Sequence, residues 1–367
     1  MKPNFGDRIV EKKKRERTNR IKRIFLYIFM LIVVTGMVTM AYFFGKKHAE
    51  VKQTVSDSID TEQEKAIYKE EKETYTQEDV EHLLAEAKWD GSKEVLTEMK
   101  QLLEEGSSVV EAFRKLYTDD LVVASSGKYH FVPIRDDLKK HQYQNENLSI
   151  LGNGEYRYVE EGQVTSYKGI DVSRFQGEID WEQVAADGVQ FAFIRVGNRG
   201  YGSGKLVYDE QFEANIEGAN KAGIKVGVYF FTQAITEEEV LEEANFVLEK
   251  IAPYRIECPI VFDVEKVAGK DARLNGLTPE ERTHLIKVFC DAIATAGYQP
   301  MIYCNLEVSA LMMNLEELEE YDKWIAYYKP DFYFPYDFKV WQYSDKGTVA
   351  GIKEKVDLDI SFVKLWE

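Results

Sequence analysis

The sequence predicts an α/β protein whose main part is an irregular, TIM-like β/α barrel, preceded by a transmembrane helix and a mostly helical stalk. Three observations indicate this fold: an uncharged apolar run at 24–44, a polar region with helical periodicity at 45–120, and eight apolar strand candidates within 167–367. Helical segments separate several of these strands. Such alternation is typical of a parallel sheet covered by helices, and eight strands suggest closure into a barrel.

The first element is the run IFLYIFMLIVVTGMVTMAYFF at 24–44. Its 21 uncharged residues would span roughly 31 Å as a helix, which matches the hydrocarbon core of a bilayer. A cleaved signal peptide is the alternative, but its apolar region is only about 7–15 residues long and precedes a small-residue cleavage site. Here GKKHAEVKQ follows. We therefore expect an uncleaved membrane anchor.

Charge is distributed unevenly about this run. Residues 1–23 carry ten Lys and Arg against three acidic residues, a balance of +7, so with a total of −17 the rest of the chain carries −24. The positive-inside rule predicts a cytoplasmic basic tail at 1–23 and an extracytoplasmic 45–367, in a single-pass protein of the cell membrane. The acidic body excludes nucleic acid as a partner because it repels phosphate backbones.

The region between the anchor and the barrel is predicted in two parts. Within the stalk at 45–120, three sets of apolar residues at helical spacing are separated by Gly91 and Gly106. Two arrangements fit them: three short amphipathic helices packed together, or a stalk that self-associates. The segment 121–166 is expected to be a linker with short strands, in KYHFVPI and GEYRYVEEGQV, and to carry no chemistry.

The barrel region is 167–367. Amphipathic helices are expected at 236–252 and 279–296, and little helix at 329–338 and 345–356. Its three cysteines are expected to be buried apolar residues rather than disulfides or metal ligands. The eight strand candidates are KGIDVS, FAFIRVG, KVGVYFFT, PIVFDVE, PMIYCN, WIAYY, FKVWQYS and DLDISF.

Two carboxylates stand near the end of the apolar strand PIVFDVE, at Asp263 and Glu265. Side chains alternate along a strand, so both point to one side, and reactive groups of barrels lie at the C-terminal ends of strands. Crowding and burial would raise the pKa of one of them, as glycoside hydrolysis requires of its acid. A solvated face or a structural ion pair would give the same spacing.

Further acids and aromatic residues lie near other strand ends. Asp171 closes the first strand, and Asp357 and Asp359 share a face of the last. This combination suits a sugar, whose rings stack on aromatic faces while its hydroxyls bind carboxylates. A metal site would need His ligands or a regular Asp-rich loop, so neither metal nor cofactor is expected. A core position is the alternative for Trp341. The candidate substrate-binding residues are Tyr229, Phe231, Tyr303, Tyr327, Trp341, Gln342 and Tyr343.

These segments together resemble the glycoside hydrolase family 25 lysozymes, the Chalaropsis-type N-acetylmuramidases. The resemblance covers 167–367 and is absent from 1–166. It implies an irregular β/α barrel that cleaves the β-1,4 bond between N-acetylmuramic acid and N-acetylglucosamine in peptidoglycan. The matching pieces are GIDVSRFQGEIDW, FAFIRVGNRGY, GVYFF, PIVFDVE, PMIYCN, WIAYY, VWQYS and VDLDI.

The resemblance also implies roles for four acids. Glu265 would be the general acid/base, and Asp263 would stabilise the transition state or orient the 2-acetamido group. Asp171 and Asp357 would line the cleft. The chain departs from the family in RVGNRGYGSGK, which lacks the glutamate of a K-x-[ST]-E-G element. The spacing leaves retention, inversion and assistance by the acetamido group open, and we favour retention with assistance.

The function expected from these features is a membrane-anchored peptidoglycan hydrolase that opens or remodels the wall locally. The anchor and stalk would confine the enzyme to membrane-proximal wall, where it would make room for a wall-spanning assembly or remodel the wall during growth. Two alternatives belong to other classes: an inactive tether that binds peptidoglycan, and a hydrolase of another polysaccharide such as chitin or a capsule.

Overall fold

The computed structural model describes residues 77–269 and 272–366. The chain forms two compact units, 1–88 and 89–367, and of the first only residues 77–88 are described, all helical. The predicted tail at 1–23, membrane helix at 24–44 and first part of the stalk lie outside the described residues. Within the described ranges, no helix combines the length and the apolar composition needed to cross a membrane.

Two helices occupy the described end of the predicted stalk, α1 (Gln77–Glu104) and α2 (Val109–Leu116). The prediction of three short helices was wrong because α1 continues through Gly91. A single glycine in a helix interior costs only about 1 kcal/mol relative to alanine, which the helix formers on both sides outweigh. Gly106 does separate α1 from α2, with a left-handed φ of 94°. A capping box between Ser108 and Glu111 then starts α2.

The segment 120–166 contains the predicted short strands in two small antiparallel sheets. The first sheet pairs β1 (Asp120–Ser125) with β2 (Lys128–Pro133). Its two-residue turn has positive φ at Ser126 (50°) and Gly127 (74°), the geometry of a type I′ hairpin. The second sheet joins β3 (Leu148–Ile150), β4 (Tyr156–Glu160) and β5 (Gln163–Val164).

All eight predicted barrel strands are present, and the sheet closes because the first pairs with the second. A short additional strand, β8 (Leu206–Tyr208), pairs with the outer end of the second. The eight strands are β6 (Tyr167–Val172), β7 (Phe191–Arg199), β9 (Lys225–Phe231), β10 (Ile260–Asp263), β11 (Pro300–Asn305), β12 (Asp322–Ala326), β13 (Val340–Gly347) and β14 (Val356–Ser361).

The short strand β8 runs antiparallel to β7. Among the eight barrel strands, the sheet is parallel except at β14, which runs antiparallel to both β13 and β6. The sequence predicted a parallel sheet, and this strand is the exception. A parallel connection needs a crossover of about a dozen residues, usually helical. The link between β13 and β14 is shorter and has no helical pattern, so the chain reverses there.

Helices pack against the outer face of the barrel sheet. The two predicted helices are confirmed as α5 and α6, which start at the side-chain caps Thr236 and Thr278. The segments 329–338 and 345–356, both fully described, contain no helix, as expected. The helices of the barrel are α3 (Trp181–Ala186), α4 (Phe212–Lys221), α5 (Glu237–Ile251), α6 (Pro279–Thr295) and α7 (Leu306–Leu311).

Alternate residues of the strands form two apolar layers. On the outer face, Phe262 stacks on Phe289 of α6. The inner face forms a separate cluster in which Phe193 stacks on Trp324 at 4.6 Å. Gly169 makes room for the ring of Phe191 in this inner cluster, since a Cβ at position 169 would lie 2.1 Å from that ring. The barrel interior is therefore packed below its C-terminal mouth. Cys258, Cys290 and Cys304 are free and buried, as predicted.

Candidate active site

An open cavity of about 450 Å³ lies at the C-terminal mouth of the barrel. The strands place the predicted residues there because their inward side alternates with the outward side that packs against helices. All four predicted catalytic acids and four of the seven predicted substrate-binding residues line it: Asp171, Asp263, Glu265, Asp357, Tyr229, Phe231, Tyr303 and Gln342.

Asp263 and Glu265 form a pair at the end of β10. The strand ends at Asp263, so Glu265 lies just beyond it rather than on it as expected. The amide of Val264 donates to the Tyr303 carbonyl at 3.0 Å, which fixes the chain between them. Asp263 is only 5% exposed, whereas Glu265 is partly open to the cavity.

The two carboxyl groups lie within hydrogen-bonding reach of each other. Burial raises the pKa of Asp263 well above its ordinary value, and the charge of Glu265 raises it further. Burial also raises the pKa of Glu265, with a contribution from Asp357. Because ionising one group disfavours ionising the other, the pair retains a proton at a pH where isolated carboxyls have lost theirs.

A second acidic group lies across the cavity on the antiparallel strands β6 and β14, where Asp171 pairs with Asp357. Gln342 donates to Asp171 at 2.7 Å and accepts hydrogen bonds from the hydroxyls of Tyr303 (2.8 Å) and Tyr328 (2.7 Å). Burial and the neighbouring acids raise the pKa of Asp171 well above its ordinary value. The amide therefore orients this carboxyl group.

Asp359 lies below the cavity and is almost fully buried. The indole nitrogen of Trp324 donates to it at 2.9 Å. Burial, followed by the charge of Asp357, raises its pKa well above the ordinary value. Asp359 thus belongs to the buried support of the cleft rather than to its lining.

Sequence reasoning did not assign several residues that line the cavity, including Arg195, Phe175 and Tyr328. Arg195 donates to Asp209 at 2.7 Å, and its charge offsets part of the rise in the pKa of Asp263. Its guanidinium lies 5.0 Å from the ring of Phe175, which is 64% exposed. Arg195 could have been found by alternation, because it follows the inward-facing Phe193 by two positions.

Comparison with known proteins assigns the barrel to a family. Residues 170–352 match the model of the glycosyl hydrolases family 25. The barrel is a family 25 domain. The autolytic lysozyme of Clostridium acetobutylicum is 27% identical over 195 residues, which cover 52% of this chain and 55% of that protein. The chain therefore spans about half the length of this relative.

Two further proteins are similar to the family 25 domain. The uncharacterized protein YegX of Escherichia coli K12 is 29% identical over 201 residues, covering 52% of this chain and 68% of its own. A solved family 25 glycosyl hydrolase from Bacillus anthracis is 24% identical with a TM-score of 0.46, and the match covers 57% of this chain and 93% of that one.

Three predicted substrate-binding residues, Tyr327, Trp341 and Tyr343, do not line the cavity of the family 25 domain. Trp341 is 2% exposed, and its indole donates to the Tyr327 carbonyl at 2.6 Å. Tyr343 stacks on Tyr156 at 4.3 Å. Gln342 occupies the inward position of β13, so both its neighbours point outward, where the segment before the barrel covers them. The structure thus places Trp341 and Tyr343 one residue of register from the inward side of β13. It places Tyr327 against Tyr333 and Arg114, beside another cavity.

Trp341→Ala should therefore destabilise the protein more than it weakens substrate binding. Removing a buried tryptophan leaves a cavity and costs about 3–5 kcal/mol. Phe175→Ala is the matched control, since this exposed ring lines the cavity and its loss should leave stability unchanged. Denaturant unfolding compares the two variants. A Trp341→Ala protein of wild-type stability would contradict the outward placement.

The acidic cluster should also make stability depend on pH. Burial raises the pKa of Asp357 from 3.8 to about 6, with Asp345 contributing. A raised carboxyl pKa means that the folded state holds the proton more tightly than the unfolded state, so stability falls as pH rises through this range. Asp357→Asn should therefore lose less stability than the wild type between about pH 4 and 6. Urea unfolding at several pH values measures both slopes, and equal slopes would contradict the burial of this charge.

Proposed function

We propose that the barrel hydrolyses the β-1,4 bond between N-acetylmuramic acid and N-acetylglucosamine in peptidoglycan. The observation that carries this proposal is the pair of Asp263 and Glu265, both with raised pKa values, in an open cavity of a family 25 domain. The match to a protein named as an autolytic lysozyme supports the same activity.

In the proposed mechanism Glu265 is the general acid. Its position beyond the strand and its partial exposure let it reach the oxygen of a bound glycosidic bond. Its raised pKa keeps a proton available at a pH where an isolated carboxyl group has lost its own. Asp263 is too deeply buried for that task. When the proton that the pair shares lies on Glu265, the charge of Asp263 would stabilise the positive charge that develops on the sugar ring. We favour retention with assistance from the 2-acetamido group.

The walls of the cavity would hold the glycan. Tyr229, Phe231 and Phe175 offer aromatic surface, and Asp171, held by Gln342, offers a fixed acceptor for hydroxyl or amide groups. Sugar rings combine apolar faces with polar edges, so this mixture of side chains suits them.

The proposal also covers residues 1–76, which lie outside the part of the chain that the structure describes. The uncharged run at 24–44 would anchor the chain in the cell membrane, with residues 1–23 in the cytoplasm and the barrel outside. Tethering raises the local concentration of the enzyme at membrane-proximal wall. We propose that it opens the wall locally, for a wall-spanning assembly or for remodelling during growth. Fractionation tests the anchor: full-length chain in the membrane fraction is expected, and chain cleaved after residue 44 in the medium would contradict it.

Loss of turbidity of purified cell walls tests the hydrolase activity. We expect the wild-type chain to clear the suspension. Walls that bind the chain but stay intact would favour the inactive tether, and clearing only of chitin or capsule would favour another polysaccharide.

A further inference from the structure

The hairpin of β1 and β2 precedes the family match at 170–352 but belongs to the same compact unit as the barrel. Leu121, Val122 and Val123 of β1 are nearly fully buried. The strand packs against α7, the helix that follows β11. The hairpin is thus held firmly on the barrel surface by apolar burial, beside the mouth, and is more than a linker.

The turn of this hairpin places two hydroxyl groups on Lys266, the residue after Glu265. The ammonium group donates to the hydroxyls of Ser125 at 3.1 Å and Ser126 at 3.2 Å. It also forms an ion pair with Glu307, which accepts a further hydrogen bond from Ser125 at 2.5 Å. Lys266 therefore has hydrogen-bond acceptors on the hairpin and an ion-pair partner on α7.

This contact matters because strand pairing no longer fixes the chain at Glu265. Strand pairing of β10 with β11 ends at Asp263 opposite Tyr303, and the amide of Val264 makes the last bond to that strand. Residues 264–267 have no regular structure. The side chain of Lys266 is consequently the next anchor after Val264, and Glu265 lies between these two points. The Val267 carbonyl, which accepts a hydrogen bond from Asn275 at 2.7 Å, follows it.

A second contact from the same region holds the loop that follows β12. The guanidinium of Arg114 lies 4.4 Å from the ring of Tyr333, and Glu111 pairs with Lys329 at 2.6 Å. The amide of Val122 donates to the Tyr333 hydroxyl at 2.6 Å. These bonds fix the loop that begins beside Tyr328, a residue of the cavity wall. The hairpin contact with Lys266 and the contacts with the loop after Tyr328 both indicate that residues before the barrel help to position the walls of the cavity.

We propose that Ser125 is a positioning residue for Glu265: together with Ser126 and Glu307 it holds Lys266, and so fixes the backbone from which the acid reaches the substrate. This inference rests on the proposed function, in which Glu265 delivers the proton. Small displacements of a catalytic group lower the rate steeply while leaving substrate contacts elsewhere unchanged.

The test compares Ser125→Ala with Ser125→Thr, which keeps the hydroxyl, and with Ser149→Ala, a matched control in β3, in the full-length chain. We expect Ser125→Ala to lower kcat by about tenfold, as for a misplaced catalytic group. KM should stay within about twofold, because ground-state binding is untouched. Ser125→Thr should restore most of the rate, and Ser149→Ala should match the wild type.

Hydrogen exchange provides a readout that does not depend on activity. Ser125→Ala should exchange faster at residues 264–269, with β10 and β11 unchanged. Lys266→Met, which removes the other partner, should give the same pattern. A wild-type kcat in Ser125→Ala, unchanged exchange at 264–269, or a loss that merely follows global unfolding would each overturn the inference. Walls left intact by the wild-type chain would instead contradict the proposed function, while the exchange result would still decide whether Ser125 holds the segment.

Discussion

Glu265→Gln should abolish hydrolysis of cell walls while the protein remains folded. Glutamine has nearly the same volume but cannot deliver a proton, and general acid catalysis contributes about 10²–10⁴-fold to the rate. The measurement is the initial rate of wall solubilisation, together with the thermal unfolding midpoint. Stability at neutral pH should stay equal or rise slightly, because the substitution removes a carboxyl group whose burial raises its pKa.

The matched control is Glu182→Gln, an exposed glutamate in α3 away from the cavity. It should keep the wild-type rate. If Glu265→Gln also kept that rate, another group would be the acid and the assignment of Glu265 would be wrong.

Asp263→Asn should lower turnover by a similarly large factor but leave wall binding intact. The carboxylate is 5% exposed and lies beneath Glu265, so its charge acts mainly on the cation that develops in the transition state. Sedimentation with insoluble walls measures binding, and the rate of release of soluble fragments measures turnover.

The opposite pattern would change the role of Asp263. Weakened sedimentation with an unchanged rate per bound molecule would make it a substrate-binding residue. The two assays must be run on the same preparation, since the substitution also removes a buried charge and could alter stability.

The eight strands could be predicted from sequence because each combines an apolar run with a break before the next. The approach of Asp171, Asp263, Glu265 and Asp357 could be predicted as well, since strand ends meet at the mouth of any such barrel. The antiparallel direction of β14 could be predicted only indirectly, from the lack of a helical pattern in the segment 345–356 before it.

Which face of β13 points into the barrel could not be predicted from its residues alone. Val340, Trp341, Gln342 and Tyr343 are buried on both faces, so no polar alternation marks the inward side. The outward residues Trp341 and Tyr343 are covered by Tyr156. That covering comes from a segment nearly two hundred positions earlier in the chain. Strand periodicity does not report such a contact, and the aromatic residues were assigned to the wrong face.

The contact of Ser125 with Lys266 was also invisible in the sequence. The hairpin can be recognised by its strands and the Ser-Gly turn, and the segment was expected to carry no chemistry. Only the packing of β1 against α7 brings the turn to the residue beside Glu265. Long-range contacts of this kind depend on burial of apolar residues in both partners rather than on a local motif.

The most direct test of the proposed activity is identification of the new reducing end in a wall digest. Fragments released by the wild-type chain are reduced with borohydride and their terminal sugars separated by mass spectrometry. Cleavage after N-acetylmuramic acid predicts that muramitol derivatives accumulate with time and that the Glu265→Gln variant releases none. Glucosaminitol ends, or fragments that appear equally with Glu265→Gln, would contradict it.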